Sequence, residues 1–336
     1  MVDDTNPTMM KSWVSGDVPG RDSLEFTMLY RPDLIDNHLL VRVRGAAVNY
    51  SDLLMIDDTY QVLPPRPFTP GQEISGEVVA VGVGAGQRVG EKVMSKVLWG
   101  GFAEFALVRA DMALPAPAGI LLIEAAAIPV SFTTAAVALT ESTIVDRGET
   151  VLVHAAAGAV GLASVQVAKA LGATVIATAG SEAKCDVARS FGADQAVNYR
   201  EVDFRDRVFD LTNGDGVDVV VDPVGGDHAL SSLRSLAWRG RYLIVGFASR
   251  TVPQLPANRL LLKGASAIGV YWNHDVDLAM VRRAEERLSG WFDQGLLRPH
   301  VDTTFELADL PDALVSLDRG GTQGKVVLRV GEDVKE

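Results

Sequence analysis

V-L-V-H-A-A-A-G-A-V-G-L-A, Val151 to Ala163, decides the fold. A short apolar run, Val151 to His154, leads into small residues and then into Ala159 to Leu171, which has helical spacing. The glycines therefore sit on a strand-to-helix turn. From Ala156 the turn reads A-x-G-x-x-G, a dinucleotide fingerprint with alanine in place of its first glycine. Gly158 lets backbone amides approach a pyrophosphate, and the helix start offers unsatisfied N–H groups at a positive dipole end. Gly161 lets the helix pack close to the strand. Ala157, Gly158, Ala159 and Val160 are the expected pyrophosphate contacts.

Downstream the same rhythm repeats. Thr174 to Ala177 is apolar, Glu182 to Ser190 is helical, and apolar runs return at Val217 to Val221, Tyr242 to Val245 and Ala267 to Val270. Strand and helix alternating at this spacing imply right-handed crossovers and a doubly wound parallel sheet. About 20 residues past the glycines, an Asp or Glu would bind the ribose 2′-hydroxyl of NAD. Here the strand ends Thr178-Ala179-Gly180-Ser181, without an acid. Gly180 and the Ser181 hydroxyl suit a 2′-phosphate, Lys184 on the next helical turn offsets its charge, and Tyr199 closes the site. NADPH is the expected cofactor. The plainer alternatives are a solvated surface Lys184 beside Glu182 and a Tyr199 that only packs.

Upstream, Met10 to Leu114 reads as short β-rich segments broken by Gly and Pro: Leu39 to Val43, Glu77 to Val81, Glu91 to Val97 and Phe102 to Val108. The pattern predicts a small, mostly antiparallel, barrel-like domain. Gly82, Gly84 and Gly86 precede no helical pattern and read as a hairpin turn. Pro115 and Pro117 mark a linker, followed by helical character over Leu122 to Ala127 and Phe132 to Leu139. Beyond Trp272 come an amphipathic segment, Leu278 to Gln294, and short strands including Lys325 to Val330. These are too few for a third domain, so the tail is expected to complete the first. The expected division is 1–128 with 272–336, and a nucleotide-binding domain over 129–271.

With 336 residues the chain is comfortable as two domains, and a formal charge of −12 without any Lys/Arg run disfavours nucleic acid. No apolar stretch reaches the roughly 18 residues that cross a bilayer, and Met1 to Met10 is polar and acidic where a secretory signal would be basic then apolar. A cytoplasmic location is expected. The single cysteine, Cys185, excludes an internal disulfide and any site of several thiolates; its setting beside Lys184 suggests packing. The five histidines are scattered, and G-T-Q-G-K at Gly321 to Lys325 is no P-loop, because Val326 supplies no hydroxyl for Mg²⁺.

Five stretches carry a resemblance: A-A-V-N-Y-S-D at Ala46 to Asp52, P-G-Q-E at Pro70 to Glu73, the Val151 to Ala163 turn, D-P-V-G-G at Asp222 to Gly226, and G-K-V-V-L at Gly324 to Leu328. Over Met10 to Val330 the chain resembles the medium-chain dehydrogenase/reductase superfamily, in its zinc-free quinone oxidoreductase branch, which includes zeta-crystallin. The first nine residues look like an extension. The resemblance implies a GroES-like catalytic domain joined to a Rossmann domain, in a homodimer formed through the edges of the nucleotide sheets. In zinc-dependent relatives a cysteine stands at Asn49, a histidine at Gln72 and a second cysteine near Val130. The three residues here cannot build a tetrahedral N/S zinc site.

The implied reaction is NADPH-dependent reduction of a quinone or an α,β-unsaturated carbonyl. It needs orientation and hydrogen-bond donors to the carbonyl oxygen more than a strong base. Asn49 and Tyr60 are the candidates for that role. Asn49 is otherwise a turn residue bonded to its own backbone and Tyr60 a packing residue; Asp57 and Asp58 depart from the family's glycine-x-tyrosine loop. Thr134, Phe247, Ala248 and Lys325 match family positions near the cofactor; the family's additional Arg or Lys is missing, and whether Arg319 substitutes for it stays open. The pocket is expected to be lined by the Tyr60 to Pro70 loop, Trp99 and Tyr271-Trp272-Asn273. Other readings stay open: an enoyl-thioester or aromatic-metabolite reductase of the same fold, or a weakly catalytic NADPH-binding or RNA-binding protein.

Overall fold

In the computed structural model, which describes residues 9–331, the hub of the first unit is the long strand His38–Val48. Leu39, Val41, Val43, Ala46 and Val48 point into the main core of this unit, and Ala47 meets Ala126 and Val327 on the other side. Being covered on both faces, the strand has the near-continuous apolar character of a buried strand. One edge pairs antiparallel with Glu73–Val81. The other is shared: His38 to Arg42 pair with Phe105–Arg109, and Gly45 to Val48 with Lys325–Arg329 from the far end of the chain. Register shifts on the Glu73–Val81 side between Leu40 and Val41, and between Val43 and Gly45, bend the strand as bulges do.

This register positions chemistry. Ala46 lies opposite Ile74 and Val48 opposite Val326, so Asn49, Glu73 and Lys325 arrive at the same end of the sheet. Lys92–Lys96 and Ala113–Pro115 extend one side of the sheet, and Val301–Glu306 pairs parallel with Lys325–Arg329 on the other. The loop at Gly82 to Gly90 joins two antiparallel strands, the hairpin expected for that glycine cluster. Of the expected extension, all but Met9 lies outside the described residues.

The second unit is a six-stranded parallel sheet. Its order is Gln195–Asn198, Thr174–Ala179, Thr150–Val153, Val217–Asp222, Leu236–Ile244 and Ser266–Gly269. Numbered from Thr150–Val153, that is 3-2-1-4-5-6, the doubly wound order whose direction reverses between the first and fourth strands. The glycine turn and the D-P-V-G-G turn leave those two strands at their carboxyl ends, where such sheets bind ligands.

The contact boundaries differ from those expected: unit one is Met1–Val130 with Val301–Glu336, and unit two is Ser131–His300. Residues 272–300 therefore belong with the parallel sheet's unit. The amphipathic helix Leu278–Asp293 packs Phe292 on Phe132, and its Arg283 and Arg287 both bind Glu141. Gln166 then brackets Arg298, accepting its N–H at 2.9 Å and donating to its carbonyl at 3.1 Å. Among the described residues no helix is long and apolar enough to cross a membrane.

Candidate active site

Gly158 caps the helix Ala159–Ala170. A Cβ on Gly161 would lie 2.2 Å from the Ala155 carbonyl oxygen and 2.7 Å from Ala156 Cα, both backbone atoms, so only glycine permits this approach. Ala155 itself sits at φ 47°, a left-handed conformation that costs an alanine roughly 1–2 kcal/mol. The substituted fingerprint thus holds its strain in the turn that faces the expected pyrophosphate. His154, at the end of the preceding strand, is buried between Thr178 Oγ1 (2.8 Å) and Ser232 Oγ (2.7 Å). Burial, with His228 adding to it against Asp222, pushes its pKa down to about 4, so it is a neutral tie between the strand Thr174–Ala179 and the helix His228–Ser235.

At the next strand end, Ser181 caps the helix Glu182–Ser190, its Oγ accepting the Lys184 N–H at 3.3 Å. Over Gly180 lie Tyr199 and Arg200: a Cβ there would fall 2.8 Å from the Tyr199 hydroxyl and 3.5 Å from Arg200 Nε. The structure therefore brings Gly180, Ser181 and Tyr199 together and adds Arg200, which sequence reasoning missed. Its exposed guanidinium has no ion pair among the described residues. The signal was a cation directly after Tyr199, itself already picked.

Phe247 and Ala248 are held to the D-P-V-G-G turn. The Ala248 N–H donates to Pro223 O at 3.1 Å and the Ser249 N–H to Val224 O at 3.0 Å. Asp222 organises that turn from below, Oδ1 accepting the Val224 and Gly225 N–H groups and Oδ2 the Tyr242 hydroxyl. Thr134 Oγ1 accepts the Trp272 indole N–H at 3.0 Å, and Trp272 is buried whereas Tyr271 is 65 % exposed. Of the expected pocket residues in this unit, Trp272 is a packed partner of Thr134 and Tyr271 is open. Trp99 belongs to the first unit and is partly exposed.

The first unit's polar cluster is built on Asn49, the residue preceding the helix Tyr50–Ile56. A capping-box bond is made: Asp52 Oδ2 accepts the Asn49 backbone N–H at 2.8 Å. The Asn49 side chain also reaches beyond the helix. Its Nδ2 donates to Glu73 Oε2 at 3.1 Å and Ala47 O at 3.3 Å, and its Oδ1 accepts from Lys325 Nζ at 2.5 Å. Lys325 Nζ also reaches Glu73 Oε2 at 2.6 Å, and Glu73 Oε1 accepts the Val130 N–H at 2.6 Å. Both charged groups are buried, the lysine side chain 5 % exposed and the glutamate 0 %. Ser51 Oγ donates to Gln72 Oε1. Sequence reasoning assigned Asn49 and Lys325 to different tasks; the structure joins them.

Two further ionisable groups flank this cluster. Burial pushes the Asp52 carboxyl up to about 7, with Glu73 adding to the rise and the Asn49 N–H and Lys325 opposing it. Among the described residues Asp52 Oδ1 has no hydrogen-bond partner. Lys96, cross-strand from Glu73, has its pKa lowered by burial. The loop carrying Tyr60 is tied down by Arg66, which pairs with Asp58 at 3.3 Å and donates to Ser15 Oγ, Gly16 O and Ile56 O. Asp57 pairs instead with Arg21. Tyr60 is half-buried in that loop.

The donor set here does not suit zinc. Asn49 and Gln72 offer carboxamides, Val130 offers nothing, and an ammonium lies 2.5 Å from the Asn49 oxygen, where it would repel a second cation. No group of three His, Cys, Asp or Glu among the described residues is placed to hold a metal ion. The glycine turn does suit a dinucleotide: Gly158 puts no side chain at the helix start, where unsatisfied N–H groups can meet a pyrophosphate, and Gly161 lets the helix pack against the turn.

Comparison with known proteins agrees with the architecture. Residues 35–118 match the family model described as alcohol dehydrogenase GroES-like domain, and residues 159–288 that described as zinc-binding dehydrogenase. The chain is 39 % identical over 292 residues to quinone oxidoreductase-like protein 2 of Mus musculus, covering 86 % of this chain and 83 % of that one. It is 32 % identical over 299 residues to the quinone oxidoreductase of Sus scrofa, covering 87 % and 89 %. The quinone oxidoreductase of Thermus thermophilus, whose structure has been solved also in complex with NADPH, superposes with a TM-score of 0.82 at 34 % identity, covering 95 % of this chain and all of that one.

Proposed function

The chain belongs to the quinone oxidoreductase branch of the medium-chain dehydrogenase/reductase superfamily, and from that premise we propose that it reduces a quinone or an α,β-unsaturated carbonyl with NADPH and without zinc. The observation that carries the reading is the Asn49–Glu73–Lys325 cluster: Asn49, which the resemblance sets at a metal-ligand position of zinc-dependent relatives, is a carboxamide spent on a buried ion pair. When bound, NADPH supplies the hydride. The chain's own residues do the rest. Backbone amides from Ala157 to Val160 hold the pyrophosphate at the helix start. Gly180, Ser181, Lys184, Tyr199 and Arg200 surround the 2′-phosphate with donors and positive charge. The first unit offers side-chain hydrogen-bond donors to the acceptor's oxygen, where negative charge develops, and the final proton comes from a side chain or water.

The enzyme works in the cytoplasm as a homodimer. The dimer forms through Ser266–Gly269, which ends the parallel sheet and has no strand on its outer side among the described residues. The test is NADPH oxidation with 1,4-benzoquinone and with 2-cyclohexenone, with and without EDTA. Turnover unaffected by EDTA is expected. EDTA-sensitive turnover of a simple alcohol would overturn the reading.

A further inference from the structure

Hydrogen-bond accounting in the first unit's cluster leaves one side-chain amide unspent. A carboxamide has two N–H donors and one carbonyl acceptor. For Asn49 the orientation is unambiguous, because Lys325 can only donate and a Glu73 carboxylate can only accept. Both Asn49 hydrogens are therefore used, on Glu73 Oε2 and Ala47 O, and the oxygen is held by Lys325. Asn49 could donate to a substrate only by giving up one of these bonds inside a buried ion pair. The Ser51 hydroxyl is likewise committed, to Gln72 Oε1. With the Gln72 oxygen taken by that hydroxyl, Nε2 is the end left over. It has no partner among the described residues, and unlike Asp52 Oδ1 it is not sealed from solvent. The rest of Gln72 is buried, only 6 % exposed, so the amide is held on a rigid strand-leading segment and need not be ordered when a ligand arrives.

Resting on the reductase reading, we propose that Gln72 is the residue whose Nε2–H donates to the carbonyl or quinone oxygen of the acceptor. Ser51 is the residue that orients it. Asn49 is a positioning residue that holds the Lys325–Glu73 pair at the base of the cluster. The donor is neutral and pre-aimed, and it strengthens as the oxygen takes on charge, which is what differential stabilisation of the reduced acceptor requires. Nothing in this assignment needs a metal or a titrating group.

The experiment compares wild type with Gln72→Leu and Gln72→Glu, using NADPH with 1,4-benzoquinone and 2-cyclohexenone. Removing one donor from a developing oxyanion lowers kcat by about 100-fold. Gln72→Leu should lose that much in kcat/KM while the Kd for NADPH, read by cofactor fluorescence, and the melting temperature stay near wild type; Gln72→Glu, which sets a carboxyl beside buried Glu73, should lose at least as much in kcat/KM and melt lower. A second readout is independent of turnover. The carbonyl stretch of ¹³C=O-labelled 2-cyclohexenone bound to the NADP⁺-loaded protein should lie lower in wild type than in Gln72→Leu. A loss of less than about tenfold, or an unchanged stretch, overturns the assignment. If the wild type oxidises no NADPH with any quinone or enone, the reductase reading falls and takes this assignment with it. An active wild type with an unimpaired Gln72→Leu removes this assignment alone.

Discussion

Lys325→Met is the substitution whose consequence the structure determines most directly. The Lys325 ammonium lies 2.6 Å from Glu73 Oε2 and 2.5 Å from Asn49 Oδ1, and both charged side chains are buried. At an effective dielectric near 20, the Coulomb attraction at this separation is about 6 kcal/mol, before the cost of dehydrating both charges. Once the pair is folded away, removing one partner strands the other, which typically destabilises by about 3–5 kcal/mol. For a unit of this size the melting temperature should fall by roughly 10 °C. Glu73→Gln should cost a similar amount, because it strands the ammonium. The double variant Glu73→Gln/Lys325→Met should cost less than the sum of the two by at least about 2 kcal/mol, since neither charge then remains. Thermal unfolding of the four proteins, with NADPH titrations alongside, supplies the cycle. An additive cycle, or a Lys325→Met variant that melts with wild type, would refute the buried-pair argument. A Lys325→Met variant of normal stability that had lost NADPH affinity would return Lys325 to the cofactor.

Arg200→Ala should lower kcat/KM for NADPH by about tenfold and leave NADH unchanged, the scale of one charge-assisted hydrogen bond; equal losses with both cofactors would remove Arg200 from the 2′-phosphate. Gly161→Ala drives a Cβ against the Ala155 backbone oxygen at 2.2 Å, whereas Gly158→Ala meets the same oxygen at 3.2 Å. NADPH fluorescence titration should therefore find the 161 variant the weaker binder, and the reverse order would be inconsistent with the packing. Asp52 is protonated in the folded protein up to about pH 7 but ionises in the unfolded chain near 3.8. The folded state thus binds the extra proton in that window, so this group's contribution to stability is full below pH 3.8 and is lost as pH rises to 7, by about 4 kcal/mol. Urea unfolding at pH 4.5, 6 and 7.5 should give a wild-type curve that falls relative to Asp52→Asn across the series; parallel curves would be wrong for a carboxyl so shifted.

The parallel sheet is legible in the sequence because its signal is local and repeated. Each strand-to-helix unit carries its own apolar run and periodic helix, which gives a parallel sheet with right-handed crossovers, whereas the strand order is read from the structure. The affiliation of 272–300 is not legible in that way. The apolar stripe of Leu278–Asp293 says that one face is covered, but the covering residues, Phe132 and Glu141, lie roughly 150 positions upstream and the stripe does not name them. The Ala155 strain is hidden for a different reason. A fingerprint read by identity puts the deviation at Ala156, where alanine replaces glycine, while the backbone places the left-handed residue one position earlier.

The polar cluster divides along the same line. Asn49 is conspicuous in sequence as an asparagine before a helix, and Lys325 as a lysine in a terminal strand, but the bond between them joins residues 276 apart. It depends on Val48 lying opposite Val326 in the register, which no local pattern encodes. Gln72 is visible only as the residue standing where a histidine would bind zinc, a description of what it cannot do. Its positive role emerges when every donor nearby is assigned an acceptor. Lys325 and Glu73 consume Asn49, Ser51 consumes the Gln72 oxygen, and the Gln72 amide hydrogens are left without a partner among the described residues. A buried lysine already neutralises Glu73, and a carboxamide at position 72 can then serve the acceptor where a histidine would have served a cation.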